Sequence, residues 1–398
     1  MITVEEARAL VFGTTRDFGI ESISLMDAVG RTLREPLIAD RDFPPYDRVT
    51  MDGIAIRFAD FTAGNRTFKI AGVGAAGQPQ MSLSKTNTCL EIMTGAILPT
   101  GADAIIRYED LQIQTGDATI TAATIRDGQN IHRKGSDRLR GSVLLQPGYQ
   151  LNAAAIGIAA TIGKDQLRVS KLPKVLIIST GDELVNINEK PLPHQIRKSN
   201  VYQLQAGLKH FGIFADHRHL NDNLKKITEN LRHFLIEYDA VLLSGGVSKG
   251  KFDFLPEAMD QLGVKKLFHK IKQRPGKPFW FGQYPEGATV FAFPGNPVSS
   301  FMCAQIYCMP WLQKCLGLPV SYQQYASLTA PIHFKPDLTY FAQVKINTDK
   351  FGKLLATPIE GNGSGDLANL VEANAFLEVP MGKDIFEKEM VLPFFKII

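Results

Sequence analysis

The feature that most constrains this chain is an alternation that begins at Lys174. KVLIIS (174–179) is a short, β-branched run of the kind that fills a buried strand, and the turn TGDEL follows it. SNVYQLQAGLKHFG (199–212) then carries a helical pattern closed by Gly212, IFADHRHL (213–220) a strand pattern, and NLKKITENLRHFLIE (223–237) an amphipathic helix. AVLLSGG (240–246) is a second buried strand and FLPEAMDQL (254–262) a further helix, and short runs near 264–271, 279–283 and 290–293 continue the alternation. Strands that alternate with helices predict parallel βαβ units, a doubly wound α/β domain with its sheet covered on both faces.

The flanks read differently. Thr3-Val4-Glu5-Glu6 fits a capping box, so a helix starts there and turns Ala7, Leu10 and Val11 inward, and Ser24-Leu25-Met26-Asp27 predicts a second helix start. Residues 65–150 are rich in Gly, Thr and β-type runs such as TFKIAGV, AIIRYED and SVLLQPG, which predicts a mostly β domain inserted after two helices. LNAAAIGIAATIG (151–163) is helical and apolar again, and the tail after Pro319, with TYFAQVKI, FGKLLATP and AFLEVP, predicts a small C-terminal β domain. Within the inserted domain, FPPYDRVTMDGIAI (43–56) stands out. Pro44-Pro45 stiffens its entry, and Asp52-Gly53 has the chemistry of a tight turn.

Bulk properties set the class. A chain of 398 residues is too long for one ordinary core and predicts about two to four domains. Hydrophobic content of 44% with 21% charged residues describes a globular protein, and a formal net charge of +4 gives no ground for a nucleic-acid reader, which would show a concentrated basic face. Cys89, Cys303, Cys308 and Cys315 form no C-x-x-C pair, and three of them lie in one apolar helical stretch where Cys acts as a small buried hydrophobe. The opening MITVEEARALV is acidic where a signal peptide is basic, and no run reaches the roughly 18 apolar residues of a membrane span, so the chain reads as cytoplasmic with no membrane partner.

Two motifs match known fingerprints in letters only. GVGAAG (72–77) fits G-x-G-x-x-G, but Gln78-Pro79-Gln80 is a poor helix start, and a turn is the better reading. Gly245 and Gly250-Lys251 satisfy G-x-x-x-x-G-K, but Phe252 stands where a P-loop needs Ser or Thr for Mg²⁺; an anion held by backbone N–H groups is expected instead, since a Gly-rich strand-to-helix turn suits it. His217 and His219 would share one face of a strand, and with no third ligand nearby a solvated strand edge is expected.

The chemistry concentrates at the carboxyl ends of the predicted strands, where open α/β sheets bind ligands. The loops there hold Thr180-Gly181-Asp182-Glu183, Asn221-Asp222, Gly245-Gly246-Val247-Ser248 with Asp253 beyond, and Pro294-Gly295-Asn296-Pro297. Nearby, Arg274-Pro275-Gly276-Lys277-Pro278 presents two cations around a rigid turn. Carboxylates without histidine suit Mg²⁺, and Arg with Lys suits an oxyanion or phosphate. The residues alone thus point to a Mg²⁺-assisted reaction on a phosphorylated or oxyanionic small molecule.

PPYDRVTMDGIAI, EIMTGAILPTGADAIIRYED, RKGSDRLRGSVLL, ISTGDEL, IRKSN, LLSGGVSKGKFDF, RPGKPFWFG and FPGNPVSS, in that order, make the whole chain resemble the molybdopterin molybdenumtransferase family, which includes the C-terminal domain of gephyrin. The resemblance implies insertion of molybdate into adenylylated molybdopterin with release of AMP. It implies a helical linker domain formed by residues 1–40 and 142–170, an inserted β domain at 41–141, an α/β molybdopterin-binding domain at 171–318 and a small β domain at 319–398. It also implies a homodimer whose active site is shared between subunits, so that Asp52 reaches across to the partner's cluster, and a possible contact with the molybdopterin adenylyltransferase that acts one step earlier.

Roles follow from the resemblance position by position. Glu183, Asp222 and Asp253 are expected to hold Mg²⁺ and to face the adenylyl and pterin ends. Arg274 and Lys277 are expected on molybdate or phosphate, and Asp52 and Asp137, with Lys277, at the reacting dithiolene. Thr94, Thr180, Gly181, Asp182, Ser199, Asn200, Gly245, Gly246, Ser248, Pro294 and Asn296 complete the expected substrate contacts. Three departures stand out: Arg48-Val49-Thr50 where relatives usually carry Asn-Ser-Ala, Lys249 with Lys251 after GGVS, and Ala368-Asn369 where relatives often carry serines. The alternatives are a non-catalytic molybdopterin-binding scaffold or carrier, against which the intact carboxylates argue, and a molybdopterin adenylyltransferase, against which the full flanking domains argue.

Overall fold

The computed structural model describes residues 1–247, 253–285, 287–319, 323–361 and 363–397. The chain forms two compact units, one of Met1–Arg34, Gly148–Asn152 and Gln166–Ile398, the other of Glu35–Pro147 and Ala153–Asp165.

The α/β domain lies in the first unit. Its strands are β1 (Val175–Thr180), β2 (Asp216–Leu220), β3 (Ala240–Ser244), β4 (Lys265–His269), β5 (Trp280–Gln283) and β6 (Thr289–Phe293), in the sheet order β2-β1-β3-β6-β5-β4. Every residue of β1, β3 and β6 is buried, because alternate side chains enter two different cores. Ile177, Leu242 and Phe291 face one core, while Ile178, Leu243 and Val290 face the other. β2, β1, β3 and β6 run parallel, as the alternation predicts. β5 is antiparallel to β6 and to β4, a departure from an all-parallel sheet. The cause is the connection after Gln283, too short for a crossover, so the chain must return as a hairpin.

The helices Asn200–Lys209, Leu224–Glu237 and Leu255–Gln261 occupy the expected segments. The first helix, Val4–Phe12, has the expected capping box between Thr3 and Glu6. The second predicted start does not extend. Asp27 N donates to Ser24 Oγ at 3.3 Å, but the segment is a turn that ends at Gly30 with φ 79°, and its preceding residues Ile20–Ser24 pair as a strand with Gln166–Ser170. The cap forms, and the sheet pairing on one side and a left-handed glycine on the other leave no length for a helix. Residues 324–396 close into a five-stranded barrel, since the strands Thr339–Thr348, Leu354–Pro358, Gln324–Leu328, Val391–Lys396 and Ala375–Val379 pair in a ring. The short strand Gln273–Arg274 of the α/β domain adds to this barrel beside Thr339–Tyr340.

The second unit is built on a six-stranded sheet that contains Gly53–Ile56 between Ala104–Arg107 and Thr88–Ile92. GVGAAG ends the strand Thr67–Gly74 and passes into a turn with no helix after it. The four cysteines are buried and free, and no described helix is long and apolar enough to cross a membrane.

Candidate functional site

The parallel order of β2, β1, β3 and β6 brings four loops to one sheet edge. Asp182 organises the acidic end, where its Oδ1 accepts from Asn221 Nδ2 at 2.8 Å and from the Asp222 amide at 3.4 Å. Burial, the charges of Asp182 and Glu183, and then that of Asp253 push Asp222 above the ordinary carboxylate range. Glu183 folds back over Gly181, so closely that a Cβ on Gly181 would sit 2.5 Å from its Oε2. The true N-cap of the next helix is Asn223, whose side chain accepts from Lys226 N, which leaves the Asp222 carboxylate out of helix capping.

The centre of the edge is tightly drawn. A Cβ on Gly245 would lie 3.1 Å from Thr180 O, and one on Gly246 would lie 3.0 Å from Thr180 Oγ1. Asn200 Nδ2 ties the ends of β3 and β6 by donating to Ser244 Oγ at 2.8 Å and to Gly295 O at 2.7 Å, and Ser199 Oγ reaches Asn200 Oδ1 at 3.5 Å. Thr180 Oγ1 is buried and has no hydrogen-bond partner among the described residues. Ser248 lies outside the described residues.

The basic end is a separate cavity of about 710 Å³ between the α/β domain and the barrel. Arg274, Lys277, Pro294 and Asn296 line it with Tyr340 and Ser364. The turn between the two cations is anchored from below. Buried Gln273 donates to Gly276 O at 3.1 Å and accepts from Tyr307 Oη, and Gly276 has φ 82° over Cys303. Among the described residues neither Arg274 nor Lys277 makes an ion pair, so their charge is directed to the cavity and solvent. The expected grouping of these cations with the carboxylates thus becomes two sectors of one edge, joined by the loop Pro294–Asn296.

Asp52, Thr94 and Asp137 belong to the other unit. Asp52 stands just before the strand Gly53–Ile56, and the facing Thr94 amide donates to its Oδ1 at 2.6 Å, which holds Asp52 below the usual carboxylate range. Gly53 serves close packing rather than a tight turn: a Cβ there would fall 1.8 Å from Ile106 O. Asp137 Oδ1 lies 2.9 Å from His132 Nε2.

Sequence reasoning missed two features. Ser364 lines the basic cavity and accepts from Asn296 Nδ2 at 2.8 Å; its signal was the glycine-rich GNGSGD, a composition that permits close backbone approach. His217 and His219 are half-buried rather than a solvated edge, and both reach Ser179 Oγ, at 3.2 and 3.0 Å. Burial, then the neighbouring Lys198 charge, lowers both imidazoles.

Three family descriptions match the chain: "MoeA N-terminal region (domain I and II)" over residues 2–163, "Probable molybdopterin binding domain" over 176–314 and "MoeA C-terminal region (domain IV)" over 325–388. A molybdopterin molybdenumtransferase of Synechocystis is 39% identical, covering 99% of this chain and 100% of that protein. One of Bacillus subtilis is 31% identical over 97% of this chain and 92% of its own length. The crystal structure of the molybdopterin biosynthesis MoeA protein of Pyrococcus horikoshii superposes with a TM-score of 0.83 at 26% identity, covering 100% of this chain and 99% of that one. These likenesses extend from the first helix to the C-terminal barrel, and the chain belongs to the molybdopterin molybdenumtransferase family.

Proposed function

We propose that this protein inserts molybdate into adenylylated molybdopterin and releases AMP, forming molybdenum cofactor. The observation that carries the reading is the division of one sheet edge into a carboxylate sector and a cavity lined by two cations that make no ion pair with the described residues, joined by Pro294–Asn296. An oxyanion suits the cavity, where Arg274 can offer a planar fork and Lys277 a point charge. The adenylyl phosphate suits the other sector.

The donor set there fits Mg²⁺. Asp182, Glu183, Asp222 and Asp253 are close enough for their charges to act on one another, Thr180 Oγ1 is buried without a hydrogen-bond partner among the described residues, and among those residues no three His, Cys, Asp or Glu side chains close into a cage. Mg²⁺ is held by one or two carboxylates with substrate phosphate oxygens and water, so an open set is the appropriate one. One or two of Glu183, Asp222 and Asp253 would hold it, and bound there it would supply charge neutralisation at the phosphates. The chain's own residues orient the reactants: Asp182 fixes the Asn221-Asp222 loop, Asn200 fixes the strand ends, and Gly245 and Gly246 let the backbone approach. Asp52 and Asp137 act on the partner subunit's edge in a homodimer, as carboxylates at the dithiolene.

The test is AMP release from adenylylated molybdopterin and Mg²⁺ with and without molybdate. Molybdate-dependent release is expected. Tight binding without release would replace this reading with a carrier or scaffold, and turnover of bare molybdopterin with ATP would replace it with an adenylyltransferase.

A further inference from the structure

Arg48 and His132 stand directly opposite each other in the antiparallel pair Arg48–Val49 and Ile131–His132. Arg48 Nη2 lies 3.2 Å from His132 Nδ1, and the other ring nitrogen, Nε2, lies 2.9 Å from Asp137 Oδ1. The three groups admit one assignment. A guanidinium only donates, so Nδ1 presents its lone pair; a carboxylate only accepts, so Nε2 carries the proton. The ring is then the neutral Nε2–H tautomer, with both nitrogens engaged by protein. A histidine that serves as general base leaves one nitrogen for the substrate. His132 has none left, so its effect passes through Asp137.

The backbone of Asp137 is already fixed. Its amide donates to Phe43 O at 2.9 Å, and its carbonyl accepts from Arg138 Nη1 at 2.7 Å. The turn before it is tied down by Asp47, which accepts from the Lys134 amide at 2.7 Å and from Arg133 Nη1 at 2.8 Å. What remains free is the side-chain rotamer, and the Asp137 side chain is 56% exposed. The bond from His132 removes that freedom through Oδ1, while Oδ2 makes no hydrogen bond with the described residues.

We infer that Arg48 and His132 are positioning residues: Arg48 holds the ring of His132 by donating to Nδ1, and His132 aims the free oxygen of Asp137 at the substrate. The inference rests on the reading of Asp137 as a carboxylate of the reaction site. It also gives a role to Arg48, one of the departures from the usual family pattern at this loop.

Two measurements on the full chain test it. Long-range ¹H–¹⁵N correlation on ¹⁵N-histidine-labelled protein, with His132→Gln to assign the signal, should show His132 protonated at Nε2 and bare at Nδ1, and in Arg48→Ala a changed Nδ1 signal with Nε2 still protonated. In molybdate-dependent AMP release, His132→Ala and Arg48→Ala should lower kcat about 10-fold, less than the roughly 100-fold that a 1 Å misplacement can cost. KM for adenylylated molybdopterin should stay within about twofold, because Oδ2 is aimed rather than created. His132→Gln and Arg48→Lys, which restore a donor, should recover most of the loss. A bare Nε2 in the wild type, or full kcat in His132→Ala while Asp137→Asn loses turnover, would overturn the inference and leave Asp137 in the site. A KM rise at constant kcat would overturn it equally. Wild-type turnover in Asp137→Asn would overturn the reading of Asp137 and the inference with it.

Discussion

Gly276 offers the sharpest test of how the basic cavity is built. A Cβ at this position would lie 2.5 Å from Cys303 Sγ, 2.9 Å from Gln273 Nε2 and 3.1 Å from Met302 Cε. None of these atoms can retreat cheaply, since Cys303, Gln273 and Met302 are all 0% exposed. The backbone adds its own cost, because φ is 82° and a left-handed conformation costs an L-residue about 1–2 kcal/mol. Overpacking a filled core adds about 1–3 kcal/mol. Gly276→Ala should therefore destabilise the α/β domain by about 2–5 kcal/mol. The assay is urea unfolding followed by tryptophan fluorescence, which reports this domain because the chain's two tryptophans, Trp280 and Trp311, are both buried in it. Cys303→Ala removes the nearest clashing atom, so the double variant should be less destabilised than the summed single variants by about 1–2 kcal/mol. The displaced turn carries Arg274 and Lys277, so any folded Gly276→Ala should also need more molybdate for half-maximal AMP release. A loss below about 1 kcal/mol with strict additivity would refute the packing argument.

Three further outcomes follow from the same geometry. Arg274→Ala and Lys277→Ala should each raise the molybdate concentration for half-maximal turnover about 10-fold or more, since a hydrogen bond to a charged group is worth roughly 1.5–3 kcal/mol; an unchanged requirement in both would place the oxyanion elsewhere. Asp222→Asn should abolish Mg²⁺-dependent turnover and yet raise the urea midpoint of the metal-free protein at neutral pH, because the native state holds this carboxylate above its usual range at a cost to folding; a lowered midpoint would contradict that. His217 and His219 lie below their ordinary value of 6.5 in the folded state, so the unfolded chain binds more protons as pH falls through the interval between that value and the lower folded ones. Stability should therefore be full above about pH 6.5, fall through that interval and level off beneath it. Comparing urea midpoints at pH 7.5 and 5.5 should show this loss in the wild type and a smaller one in the His217→Asn/His219→Asn double variant.

Much of the architecture was legible because local pattern and tertiary position agree. β1, β3 and β6 are buried on both faces, and a strand so placed is an apolar run, as VLII (175–178) and AVLL (240–243) are. The turn chemistry of TGDE and SGG likewise marks where those strands end, and in a parallel sheet the ends share one edge. The Ser24 cap misled because a cap records only that a helix could begin. Its neighbours were already committed to a strand and to a left-handed Gly30.

The partition of the site was decided by tertiary structure alone. Nothing in the order Asp222, Asp253, Arg274, Lys277 reveals that the carboxylates gather at one end of the edge while the cations turn toward a barrel some 60 residues further along the chain. That separation arises because Gln273–Arg274 adds to the barrel beside Thr339–Tyr340, a pairing with no local sequence signal. The same holds for the Arg48–His132–Asp137 chain, since the register of two short strands set one residue opposite another 84 positions away. By itself the sequence determined which segments are strands, helices and ligand-facing turns, because those follow from periodicity and backbone chemistry. Which charges meet, and which are kept apart, depended on how the strands pair across the folded chain.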